Sequence, residues 1–131
     1  MGAYYITMDL DLKARVDLTL LDAELRQAGL HGGANSHNGK CWASYSSSKC
    51  CSRHPAETID HFLGIVDGLS SEARDLWNRC SSRRFDLGFQ GCDERFCSRW
   101  RLKAPLLRRL ADVGGDLIVT IYKDDGTKRL G

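Results

Sequence analysis

Hydrophobic and polar positions alternate strictly at the start of the chain. Tyr4, Ile6, Met8 and Leu10 are interleaved with Tyr5, Thr7 and Asp9, the period-two pattern of a half-buried strand. The period then changes. Leu21, Leu25 and Ala28 fall at helical spacing. Thr19 with Asp22 three residues later resembles a capping box with a shortened acid, and Gly29 stands where a left-handed C-terminal cap is wanted. Residues 31–40 hold Gly, Asn and Ser with almost nothing apolar, which predicts a loop. A short strand around Trp42, from Cys41 to Tyr45, is expected next.

Pro55 suits the first turn of a second helix, where a missing N–H costs nothing. Ile59, Phe62, Leu63 and Val66 trace its apolar face, and Asp67-Gly68 ends it. Ser70-Ser71 restarts a helix whose stripe is Ala73, Leu76, Trp77 and Cys80. Phe85, Leu87 and Phe89 alternate with Asp86 and Gly88, giving a strand over 84–90. Pro105 opens a helix that turns Leu106, Leu110 and Val113 to the core and stops at Gly114. Residues 116–122, Asp-Leu-Ile-Val-Thr-Ile-Tyr, are the most β-prone run. With apolar residues on both faces they predict a central strand. Asp125-Gly126 reads as a turn and Lys128 to Gly131 as a frayed end.

The expected order is therefore β-α-β-α-(α)-β-α-β. It predicts one α+β domain over residues 1–131, a two-layer sandwich with a four-stranded sheet and three to four helices, most simply ferredoxin-like. The length of 131 residues agrees with one domain, and 42% apolar with 27% charged residues agrees with a globular chain. No apolar run approaches the span of a bilayer. The opening Met1-Gly2-Ala3-Tyr4-Tyr5 does not read as a signal peptide, so a cytoplasmic protein with no membrane partner is expected.

The net charge of +2 conceals an uneven distribution. Residues 71–110 carry ten basic against five acidic side chains, and nine of the ten are Arg. Arg pairs with carboxylate or phosphate through two parallel hydrogen bonds, which Lys does not. Arg83, Arg84, Arg95, Arg99 and Arg101 are the expected partner-binding residues. The competing reading is a solvated face balanced by Asp86, Asp93 and Glu94. No nucleic-acid-binding module accompanies the basic stretch, so no nucleic-acid partner is expected.

Six cysteines, at 41, 50, 51, 80, 92 and 97, leave three readings open. An even count fits disulfides, but nothing in the chain argues for an oxidising compartment. Cys50, His54, Cys92 and Cys97 would suit tetrahedral zinc if the strands preceding them run parallel, although no tight Cys-x-x-Cys knuckle is present. Free thiols, with Cys41 and Cys80 as small buried hydrophobes, are the simplest reading, and no cofactor or metal is expected. Cys50 or Cys51 with His54 or His61 is a conceivable nucleophile and base, with Lys49 and Arg53 nearby to favour thiolate. No oxyanion-hole or elbow motif accompanies it. Asp9 and Asp11 form a carboxylate pair expected in a solvated turn, and His31 and His37 read as plain surface histidines. No catalytic residue is expected.

Together, the Tyr-Tyr-Ile-Thr-Met strand, the Trp42 strand after a Gly-rich segment, the Ile59/Phe62/Leu63/Val66 helix and the Leu117-to-Tyr122 strand after Leu106-Leu107-Arg108-Arg109-Leu110 resemble a family of small bacterial single-domain proteins. That family is of unknown function, and some members are suspected immunity proteins of toxin systems. The resemblance implies a non-enzymatic protein that neutralises a cognate toxin by occluding it, and transfers no catalytic residue. The cysteine-rich segment 41–54 departs from the family's pattern. A small regulatory domain holding a metal or ligand, or a phage-encoded inhibitor of a host defence complex, are the alternatives.

Overall fold

The computed structural model describes residues 4–47, 54–91 and 99–122. Five strands and four helices follow in the order β1 (Tyr4–Ala14), α1 (Thr19–Gln27), β2 (His31–His37), β3 (Lys40–Ser46), α2 (Pro55–Asp67), α3 (Ser71–Asn78), β4 (Ser82–Gln90), α4 (Ala104–Asp112) and β5 (Asp116–Tyr122). The strands form one open mixed sheet, ordered β2-β3-β1-β4-β5. Every neighbouring pair is antiparallel except β4 and β5, which are parallel and joined through α4.

Period-two alternation places the core on one face of this sheet. Met8, Leu10, Leu12 and Ala14 of β1, Cys41, Ala43 and Tyr45 of β3, and Phe85, Leu87 and Phe89 of β4 are buried in one cluster with the apolar stripes of the helices. That cluster takes Leu21 and Leu25 from α1, Ile59, Phe62, Leu63 and Val66 from α2, Ala73 and Trp77 from α3, and Leu110 from α4. The helices therefore share one side of the sheet, and the intervening strand residues face away from them.

One β-bulge alters the predicted alternation. The β1–β4 register skips between Tyr5 and Thr7, so Tyr5 opposes Phe89 while Ile6 has no partner. The extra residue turns the strand over. Tyr5 now faces the core, its ring 5.6 Å from that of Phe89 and its hydroxyl donating to Thr58 Oγ1 at 2.9 Å. Ile6, expected inside, is an exposed side chain.

Four other expectations are corrected. The sheet has five strands instead of four, because residues 31–37 form β2 and not a loop. Asn38 and Gly39 both have positive φ, 52° and 76°, the two-residue turn that matches hairpin twist. Backbone pairing to β3 makes this strand, not side-chain burial, so an apolar count misses it. Among the described residues the run 116–122 is an edge strand, paired to β4 alone, with Val119, Ile121 and Tyr122 exposed. The Thr19–Asp22 capping box does not form: Asp17 instead accepts from the Thr19 N–H at 2.9 Å, and Asp22 accepts from the Tyr45 hydroxyl at 2.6 Å. Finally, Asp9 and Asp11 lie within β1, not in a turn.

The helix punctuation follows the sequence more closely. Pro55 opens α2 behind His54, whose Nδ1 accepts from the Ala56 N–H, and Gly68 caps its end. The Ser70 side chain caps α3 by accepting from the Ala73 N–H. Gly29 and Gly114 follow α1 and α4 with φ of 104° and 73°. The turn Asp125-Gly126 and the end Lys128 to Gly131 lie outside the described residues.

Candidate functional site

The fold disperses the arginines that are dense in the sequence. Arg83 sits on the helix side of β4, where its guanidinium donates to three backbone carbonyls: Gly114 at 2.9 Å, Trp77 at 2.9 Å and Cys80 at 2.7 Å. It ties the end of α3 to the α4–β5 turn and has few donors left for a partner. Gly114 is favoured there by its φ of 73°, and a Cβ, 2.7 Å from the guanidinium, would push Arg83 off these carbonyls. Arg109, on α4, bridges Asp60 and Asp67 of α2 at 2.5 Å and 3.4 Å. Those bridges are exposed and add little stability.

Arg84 projects from the opposite face of β4, in register with Asp11 of β1 and Asp116 of β5. Arg99 and Arg101 are exposed before α4. Arg101 and Lys103 border a shallow hollow of about 470 Å³ with His54, Glu57, Asp60 and Leu106. Arg95 lies outside the described residues. Arg84 lies near the start of β4, whereas Trp100, next to Arg101, packs on Phe89 near its end with ring centroids 4.6 Å apart, so Arg84 and Arg101 do not share one patch.

The sheet face opposite the described helices gathers residues from four strands. Registers place Thr7, Asp9 and Asp11 of β1, Trp42 and Ser44 of β3, Arg84 and Asp86 of β4, and Ile118, Thr120 and Tyr122 of β5 upon it. Asp9 stands directly opposite Asp86, with Asp11 two residues along the same strand. Two of these acids have hydroxyl partners: Ser44 donates to Asp11 at 2.7 Å and Thr120 to Asp86 at 2.7 Å. Partial burial, then the charges of Asp11 and Asp86, hold the Asp9 carboxyl above its ordinary 3.8.

The sign of that shift gives a testable consequence. A carboxyl that binds its proton more tightly when folded makes stability fall as pH rises from the ordinary carboxylate range through the raised value. The cost is fully present at neutral pH. Like charges directly opposite on neighbouring strands are destabilising, and such pairs act over about 0.2–1 kcal/mol. Asp9→Asn will therefore raise the melting temperature at pH 7 and lose that advantage near pH 3. Parallel melting curves at the two pH values check it, and an equal change at both would refute it.

The cysteine readings meet a partial answer. Cys41 and Cys80 are buried free thiols, and burial chiefly pushes Cys80 up to about 11, the reverse of an activated nucleophile. The strands β3 and β4 do run parallel with β1 between them, the geometric condition of the zinc reading. Cys50, Cys51, Cys92 and Cys97 lie outside the described residues, as do Lys49 and Arg53. Among the described residues no group of His, Cys, Asp and Glu is arranged to hold a metal. No helix there is long and apolar enough to cross a membrane.

Compared with known proteins, the chain matches no family model, no curated protein and no solved structure.

Proposed function

We propose that the protein is a non-enzymatic binding protein, an immunity-type protein that neutralises a cognate toxin by occluding it, and that the sheet face opposite the described helices is its contact surface. The observation that carries this reading is the like-charge crowding of Asp9, Asp11 and Asp86 at the centre of that face. A cationic group on a partner relieves that repulsion, whereas water alone leaves it in place. Ile118, Tyr122 and Trp42 flank the acids with apolar area, an arrangement of aromatic anchors around polar groups that suits a protein interface. The partner chemistry is therefore a protein segment bearing Lys or Arg.

Arg84 belongs to this surface, and Arg99 and Arg101 to a separate one. Within the fold, β1 to β4 are taken as a ferredoxin-like unit, ordered β4-β1-β3-β2, to which α4 and β5 are appended. A cytoplasmic setting goes with this reading, and a phage-encoded inhibitor of a defence complex belongs to the same occlusion class.

Co-expression with the product of the neighbouring gene tests the proposal. A stable complex and protection of growth are expected. Asp9→Lys, which exchanges repulsion for attraction inside the protein and so preserves the fold, is expected to weaken binding at least tenfold. Arg101→Glu is expected to bind as the parent does. Unchanged binding by Asp9→Lys overturns the assignment of the face; no complex and no protection overturn the toxin reading.

A further inference from the structure

We propose that the free protein binds a nucleoside phosphate in a two-lobed groove at the end of the sheet where β1 finishes and β3 begins, the phosphate held by Arg15 and Lys40 and the base stacked on Trp42.

The groove is built by the hairpin and the segment after β1. One lobe, about 610 Å³, lies between the β1–α1 connection and the β2–β3 turn and is lined by Arg15, His37 and Lys40 among others. The second, about 330 Å³, runs past Lys13 and Ser81 to Trp42. The two share Arg15, Lys40 and Cys41. Volumes of this order are those of small-molecule sites. The register sets the juxtaposition, pairing Lys13 with Trp42 and Ala14 with Cys41.

Charge identifies one half of the ligand. Lys13 at the end of β1, Arg15 just after it and Lys40 at the start of β3 are exposed and line the groove together, and none makes an ion pair among the described residues. The acid on the rim, Asp17, accepts from both the N–H and the hydroxyl of Thr19, and these bonds hold its carboxyl below the ordinary range. It reduces the positive field without closing on the cations. An anion with several acceptor oxygens satisfies three such donors at once. The Asn38–Gly39 turn fixes Lys40 and His37 in place, so little ordering is required on binding.

Trp42 identifies the other half. The residue is 45% exposed on the sheet face, where a lone phosphate has no use for an indole. Lys40 and Trp42 point to the same face two residues apart on β3, roughly 7 Å along a strand, a span that fits the reach from base to phosphate in a nucleotide. An aromatic platform beside cations is the combination that stacks a base while holding its phosphate. The claim concerns the isolated protein, so it stands or falls without the toxin partner.

Titration calorimetry of the full chain with ADP, inorganic phosphate and a ten-nucleotide oligo-dT tests it, with tryptophan emission followed in parallel. Saturable ADP binding with an emission change is expected. Trp42→Ala is expected to weaken ADP about tenfold while leaving inorganic phosphate unaltered. Lys40→Glu is expected to lose both ligands. Both side chains are exposed, so circular dichroism should match the parent. Absence of saturable ADP binding at millimolar concentration, or equal ADP affinity in Trp42→Ala, overturns the proposal. Tighter binding of oligo-dT than of ADP also overturns it, replacing a free nucleotide by a strand.

Discussion

Trp77→Ala will lower the unfolding free energy by about 3–5 kcal/mol, the range for truncating a large buried aromatic. Trp77 is fully buried on α3 and lies at the seam where that helix meets β4 and the end of α4. Its ring meets Phe85 edge-on, with centroids 6.3 Å apart, and its indole N–H donates to the Val113 carbonyl at 2.9 Å. Alanine removes the apolar area, leaves a cavity and orphans a buried acceptor. Trp77→Phe fills most of the space but not the hydrogen bond, so it will cost less, about 1–3 kcal/mol. Urea unfolding of the two variants and the parent, with the denaturant slope compared, separates these effects. A loss below about 1 kcal/mol for alanine would contradict the packing described here.

Arg83→Ala will be the second most damaging change, costing about 2–4 kcal/mol, because three backbone carbonyls lose their donor together. Arg83→Lys will recover only part of this, since an ammonium cannot reproduce the fork that reaches Gly114 on one side and Trp77 and Cys80 on the other. The adjacent Arg84→Ala will fall within about 0.5 kcal/mol of the parent, as its side chain faces away from the core and makes no ion pair among the described residues. Thermal denaturation of the three variants checks the ranking. The contrast matters for function: weaker partner binding by Arg83→Ala would report unfolding, whereas a loss in Arg84→Ala would report contact.

Adjacent positions with opposite fates show the limit of reading charge along a chain. Arg83 and Arg84 look alike in a basic run, yet strand alternation sends one into the backbone of its own fold and the other to the open face. Arg109, in the same basic stretch, reaches from α4 to Asp60 and Asp67 of α2. The Asp9 and Asp11 pair was legible along the chain, but its third member was not: Asp86 lies 75 or more residues further on and meets the pair only through the β1–β4 register. The Asn38-Gly39 dipeptide, by contrast, was a legible hairpin signal that the polar composition around it obscured.

The amino-acid sequence alone determined the α+β class, the helices with their proline starts and glycine ends, and the apolar stripes that meet in the core, because capping, φ preference and hydrophobic period act over a few neighbouring residues. Only the tertiary structure decided that β2 exists, that β5 lies at an edge, that a bulge exchanges Ile6 for Tyr5, and which charges are spent inside the fold. Each of those depends on which strand lies beside which, and pairing register brings together residues whose separation along the chain carries no trace of their contact.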